Sequence, residues 1–91
     1  MGPERKRTHH IVGVHVTDRV RNVPDVQRIF SEFGCYIKTR IGLHEVQEDY
    51  CSPNGVILLD MICDQDCCEQ MVRKLEALEG IEVQRMTFAH E

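Results

Sequence analysis

Two copies of a strand–helix–strand pattern fill this chain, and that repeat limits its fold more than any other feature. The first copy runs from Ile11-Val12-Gly13-Val14-His15-Val16 through a helix to Glu32-Phe33-Gly34, then into Ile37-Lys38-Thr39-Arg40-Ile41. The second runs from Val56-Ile57-Leu58-Leu59-Asp60-Met61-Ile62 through a helix to Leu78-Glu79-Gly80, then into Ile81-Glu82-Val83-Gln84-Arg85-Met86. In each copy an Asp follows the first strand, a Gly closes the helix and an Arg lies in the strand after it. The order β-α-β-β-α-β is the split-βαβ, ferredoxin-like plan. It predicts an α+β domain whose four-stranded antiparallel sheet, in spatial order 4-1-3-2, carries both helices on one face.

The side-chain periods predict which residues are core. Val12, Val14 and Val16 alternate with Ile11, Gly13 and His15, so the valines face the helices. Asn22 reads as the N-cap of helix one, with Pro24 in its first turn. Val23, Val26, Ile29, Phe30 and Phe33 form its buried stripe, and Gly34 ends it as a left-handed cap. Asp64 or Asp66 caps helix two, whose stripe is Cys68, Met71, Val72, Leu75 and Leu78. In strand two, Ile37, Thr39, Ile41 and Leu43 alternate with Lys38, Arg40, Gly42 and His44. The open face is then expected to show Ile11, Val56, Leu58 and Ile62 beside His15, Lys38, Arg40, His44 and Asp60. Apolar residues mixed with charges on one face predict an oligomer interface or a ligand platform.

At 91 residues the chain makes one domain. Residues 1–8 are expected to be a flexible lead and 9–91 the folded unit. A domain of this size buries a modest core, so homo-oligomerisation to a dimer or tetramer is expected. The net charge of −4 argues against direct nucleic-acid binding, which needs clustered cations. No apolar run approaches the roughly 20 residues that span a bilayer, so no membrane association is expected. Five cysteines without a secretory h-region predict a reduced, cytoplasmic protein.

Three constellations carry chemistry. His15, His44 and the loop residue Cys51 converge in this topology at one end of the sheet. Two imidazoles and a thiolate suit zinc, nickel or copper; surface histidines with a loop cysteine are the plain alternative. His9 and His10 point to opposite faces and are expected in solvent or at an interface. Cys35, Cys63, Cys67 and Cys68 group at the opposite end, as core filler, an iron–sulfur ligand set or a reactive thiol at Cys67, where a helix N-terminus favours thiolate. Arg40 and Asp60 are expected to pair across strands two and three, or to hold a small effector or an interface contact, Arg40 gripping a carboxylate. No nucleophile elbow, phosphate loop or His-Glu-x-x-His motif is present, so an enzyme is not expected.

The stretch Gly34-Cys35-Tyr36-Ile37-Lys38-Thr39-Arg40-Ile41-Gly42-Leu43 resembles the iron-only hydrogenase system regulators, which carry a helix-ending Gly and then Arg-x-Gly-Leu. Leu75-Glu76-Ala77-Leu78-Glu79-Gly80-Ile81-Glu82-Val83 resembles their last helix and strand. That resemblance implies an ACT-like fold and a stand-alone regulatory module that binds a small-molecule or metal effector. His44-Glu45-Val46 stands where those proteins commonly have Pro, and the loop carrying Cys51 is longer, so their ligand does not transfer. More distantly, Leu43-His44 and Cys51 are similar to the nickel-binding residues in the C-terminal sensor domain of nickel-responsive repressors. The His-x-His pair and the DNA-binding arm of those repressors are absent here.

Overall fold

Alternating valines and a mostly apolar third strand give two central strands, and the short links place the outer strands beside them. The computed structural model of the chain describes residues 8–46 and 51–88; the side chains of residues 19, 20, 43–46 and 51–54 fall outside that description. The order is β1 (Thr8–Val16), α1 (Arg19–Glu32), a 3₁₀ turn (Gly34–Tyr36), β2 (Ile37–Val46), β3 (Cys51–Cys63), α2 (Gln65–Glu76) and β4 (Ile81–Phe88). The sheet order is β2-β3-β1-β4, every pair antiparallel. This is the α+β ferredoxin-like arrangement that the repeat predicts. β1 starts at Thr8, so the residue expected to close the lead is the first of the strand.

The core lies between the sheet and the two helices. Val12, Val14 and Val16 meet Leu59, Met61 and Cys63 from β3, and Val26, Ile29, Phe30 and Phe33 from α1. Cys68, Met71 and Leu75 complete it from α2. Burying each large aliphatic side chain stabilises the fold by about 1.5–3 kcal/mol before chain entropy is counted. Asp64 is the cap of α2, its carboxylate accepting from the Cys67 N–H at 2.8 Å.

The first helix departs from expectation. It begins at Arg19, with Asp18 at the N-cap in the left-handed region (φ 56°), so Asn22 and Pro24 lie inside it. Asn22 does other work: its side-chain amide donates to the Thr17 carbonyl. The Thr17 N–H donates to the Gly80 carbonyl at 2.9 Å, tying the β1–α1 turn to the α2–β4 turn. Gly34 is not the left-handed cap; it opens the 3₁₀ turn, and the positive φ falls on Gly80, at 82°.

β2 holds the second departure. Ile37 pairs with Met61 but Thr39 pairs with Asp60, so Lys38 is an extra residue in a β-bulge. One extra residue reverses the faces of everything after it. Thr39 and Ile41 therefore join the open face, and Arg40 joins the row of buried Leu59.

Candidate functional site

The open sheet face is built from odd positions of β1 and their neighbours. Its rows are Ile62–His9–Phe88, Asp60–Ile11–Met86, Leu58–Gly13–Gln84 and Val56–His15–Glu82, with Thr39 and Ile41 of β2 beside Asp60 and Leu58. Ile41 (51% exposed), Leu58 (36%), Met86 (59%) and Phe88 (48%) all project here. Near the Phe88 edge, His9 Nε2 and Asp60 Oδ1 are hydrogen-bonded, and the His9 ring lies 5.9 Å from that of Phe88. The face mixes exposed apolar side chains with the His9–Asp60 contact and the polar residues Thr39, His15, Gln84 and Glu82.

The bulge corrects two expectations. Arg40 and Asp60 are not cross-strand partners, because Asp60 lies opposite Thr39 and Arg40 opposite Leu59. They occupy opposite faces: Asp60 pairs with His9, while the Arg40 guanidinium stacks 5.1 Å over the Phe30 ring on the helix side. Arg40 is thus removed from the open face, where strict alternation puts it.

His15 keeps its expected place, in the open-face row with Val56. The register sets His44 opposite Gly55, a position of the helix-side face, so the bulge also removes His44 from the open-face row expected for it, and it sets Cys51 opposite Val46. The side chains of His44 and Cys51 lie outside the described residues. Among the described residues, no three His, Cys, Asp or Glu side chains converge in a way that holds a metal ion.

His10, expected in solvent or at an interface, is completely buried. The Thr8 hydroxyl donates its one proton to the Cys63 carbonyl at 3.0 Å, so His10 Nε2–H donates to Thr8 Oγ1. His10 Nδ1 then accepts from the Thr87 hydroxyl at 3.1 Å. Burial lowers the His10 pKa, and Arg85 and His9 lower it further, opposed by the Cys63 backbone carbonyl, an acceptor that raises it.

The four cysteines grouped at the far end divide. Cys35 is exposed on the 3₁₀ turn. Cys63 ends β3 and Cys67 lies in the first turn of α2. Burial above all pushes the Cys63 thiol up to about 12. Burial also raises Cys67, and the nearby Asp64 carboxylate adds to it against the opposing effect of the Cys63 thiol. Cys68 is raised by burial too, although Arg85 Nη1 donates to its Sγ at 3.6 Å.

Sequence reasoning did not locate the cleft at the other end. About 470 Å³ in volume, it is lined by Thr17, Asp18, Arg21, Asn22, Asp25, Leu78, Glu79 and Gly80. The signal was present in the repeat: Asp18 after a strand and Gly80 after a helix are the two positive-φ residues of the paired turns.

No protein-family model and no curated protein matches the chain. Solved structures do. An uncharacterised protein, TM1266, from Thermotoga maritima superposes with a TM-score of 0.78 at 21% identity, over 90% of this chain and 98% of that one. CPII from Thiomonas intermedia K12, bound to ADP, AMP and acetate, gives 0.53 at 4% identity over 89% and 88%. The same CPII, described as a nitrogen regulatory PII-like protein and bound to ADP, AMP and bicarbonate, gives 0.50 at 6% identity over 89% and 94%. At these identities the likeness is one of fold, and the chain is a ferredoxin-like α+β domain of the form that TM1266 and CPII also adopt.

Proposed function

We propose that this chain is a stand-alone regulatory module, not an enzyme, that assembles through its open sheet face and binds a small effector. One observation carries the reading: among the described residues, the exposed large apolar side chains of the sheet, Ile41, Leu58, Met86 and Phe88, share a single face. Such a face is costly in water and is stabilised by a second copy. The regulatory fold neighbour CPII supports the class, and the sequence resemblance to iron-only hydrogenase system regulators supports a role in controlling that system in the cytoplasm.

The effector site in this reading is the cleft between the β1–α1 and α2–β4 turns, whose volume falls within the ordinary range for small ligands. Its described lining sets Asp18, Asp25 and Glu79 against Arg21. That balance disfavours the adenine nucleotides named for CPII and favours an uncharged or cationic molecule. Sedimentation equilibrium tests the assembly: the wild type is expected to be a dimer or tetramer and Leu58→Glu a monomer of unchanged far-UV circular dichroism. Equal masses for the two would refute the reading. A thermal-shift panel of neutral, cationic and nucleotide ligands tests the cleft, where the expected stabilisation disappears in Glu79→Lys.

The second reading is a transition-metal sensor using His15, His44 and Cys51 with nickel or zinc. His15 and His44 lie near the same end of the sheet, opposite Val56 and Gly55, but these successive β3 positions belong to opposite faces, which counts against this reading. Stoichiometric metal after anaerobic purification, lost in Cys51→Ala, is the result that would establish it; metal-free protein that takes up neither ion would end it.

A further inference from the structure

The two edges of the sheet are not built alike. β2 carries a bulge at Lys38 and a second irregularity between His44 and Val46, and Lys38 and Arg40 are exposed in the same strand. Bulges and exposed cations keep an edge from pairing with another chain. β4 lacks this protection. Among the described residues it pairs with β1 alone, in continuous register from Ile81 to Phe88, and it contains no Pro, Gly or Lys. Its two charges are engaged within the chain. Arg85 donates to Glu69 at 3.3 Å and lies against Cys68, and Glu82 accepts from Gln84 at 3.3 Å. The outward N–H and C=O groups of a long, regular strand are thus open to a further strand.

We propose that β4 docks antiparallel on β4 of a second copy, joining two four-stranded sheets into one about a two-fold axis at Gln84. Opposed residues of antiparallel strands share a face, so the axis falls on a residue and not between two. An axis at Gln84 or at Arg85 pairs the most of the strand. At Arg85 it sets that guanidinium opposite itself, and like charges directly opposite are destabilising. At Gln84 it sets Val83 opposite Arg85, Glu82 opposite Met86 and Ile81 opposite Thr87, with no like charges opposed.

The helix beside this edge selects a second copy as the partner. α2 and β4 enclose a groove of about 220 Å³ lined by Glu69, Val72, Arg73, Glu76 and Arg85. Two anions balance two cations there, which suits neither a polyanion nor a polycation. It suits its own image. The two-fold runs α2 antiparallel to its copy across the seam, so Arg73 and Glu76 of one face Glu76 and Arg73 of the other. Such rim pairs add little affinity but fix register and partner. The seam is also continuous with the open face. The row Leu58–Gly13–Gln84 crosses the sheet at the seam axis. A face two-fold lying along that row brings Leu58 onto Leu58 of the facing copy, and the two axes meet at right angles to close a D2 tetramer. One seam is a small contact; two engage at once between face-paired copies, which raises their effective concentration. The tetramer, though not the seam, rests on the open-face reading.

Sedimentation equilibrium and amide hydrogen exchange of the full chain test the seam together. The wild type is expected to be a tetramer whose outward-facing β4 amides exchange slowly. Arg73→Glu, at a side chain 80% exposed, sets acid against acid across each seam. It is expected to keep its circular dichroism, to halve the mass at low salt and to free the outward β4 amides. Adding Glu76→Arg to Arg73→Glu restores the complementary pair and the tetramer. A wild-type dimer that Leu58→Glu splits, or a tetramer whose mass and β4 exchange Arg73→Glu leaves unchanged, would overturn the seam and leave the face reading standing. A dimer that Leu58→Glu leaves whole and Arg73→Glu splits would support the seam and refute the face. A monomeric wild type with freely exchanging β4 amides would overturn both.

Discussion

Replacing Gly80 by Ala tests how the two turns around the cleft are held. Gly80 has φ 82°, and a Cβ there would lie 3.0 Å from Asn22 Nδ2 and 3.5 Å from the Thr17 carbonyl oxygen. Two costs follow, and they separate. The left-handed backbone costs an L-residue about 1–2 kcal/mol. The close approach to Asn22 costs little, because Nδ2 is the end of a side chain that can shift by a few tenths of an ångström. Shifting it weakens the amide bond to the Thr17 carbonyl, a contribution of about 0.5–1.5 kcal/mol. The sum predicts a loss of about 1.5–3.5 kcal/mol in Gly80→Ala, or a fall in Tm of about 4–8 °C for each kcal/mol in a domain of this size. Urea unfolding at one fixed protein concentration measures it, since assembly shifts apparent stability. A cycle with Asn22→Ala divides the loss. If the backbone dominates, the two substitutions add within about 0.5 kcal/mol. A Gly80→Ala protein as stable as the wild type, or one fully rescued by Asn22→Ala, would refute the assignment of the cost to the left-handed backbone.

Three further outcomes follow from the packing and the titration. The folded-state pKa of His10 lies below its unfolded value, so its contribution is present above about pH 6.5 and is lost as pH falls through that value towards the lowered one. His10→Leu should therefore flatten the stability-versus-pH curve between pH 7 and 5 relative to wild type, as read by denaturant midpoints. Met71→Ala removes a fully buried side chain at the helix–sheet contact and should cost about 2–5 kcal/mol by thermal or urea unfolding. Asp64→Ala removes the α2 cap and should cost about 1 kcal/mol, with Asp64→Asn recovering most of it because an amide oxygen can still accept from Cys67.

Where local pattern and fold agree, the sequence was enough to read the architecture. The strand–helix–strand repeat contains the topology, the valines of β1 mark the core face, and Asp64 with Cys68, Met71 and Leu75 marks the second helix. The misreadings share a cause: a choice made by tertiary contact between equal local alternatives. Asn22 and Asp18 are both good caps, and the Thr17–Gly80 bond between the turns favours the earlier start. Lys38 bears no mark of a bulge in its own chemistry, yet that one residue moves Arg40 to Phe30 and exposes Ile41. His10 follows the valine face by parity, but its burial depends on Thr8 and Thr87, brought together only by pairing β1 with β4. The cleft arises from two turns more than fifty residues apart in the chain, and neither alone predicts it.

Hydroxyl-radical footprinting over a dilution series tests the central claim most directly, because it reports which face is covered as well as whether the chain assembles. Met86 and Phe88 lie exposed on the open face, whereas Tyr36, 42% exposed, lies off the sheet on the 3₁₀ turn. Assembly through the face predicts that Met86 and Phe88 are protected at high concentration and oxidise faster on dilution, while Tyr36 reacts at one rate throughout. Oxidation of Met86 at the same rate at every concentration, in protein shown to be oligomeric by mass, would contradict the account and move the interface elsewhere.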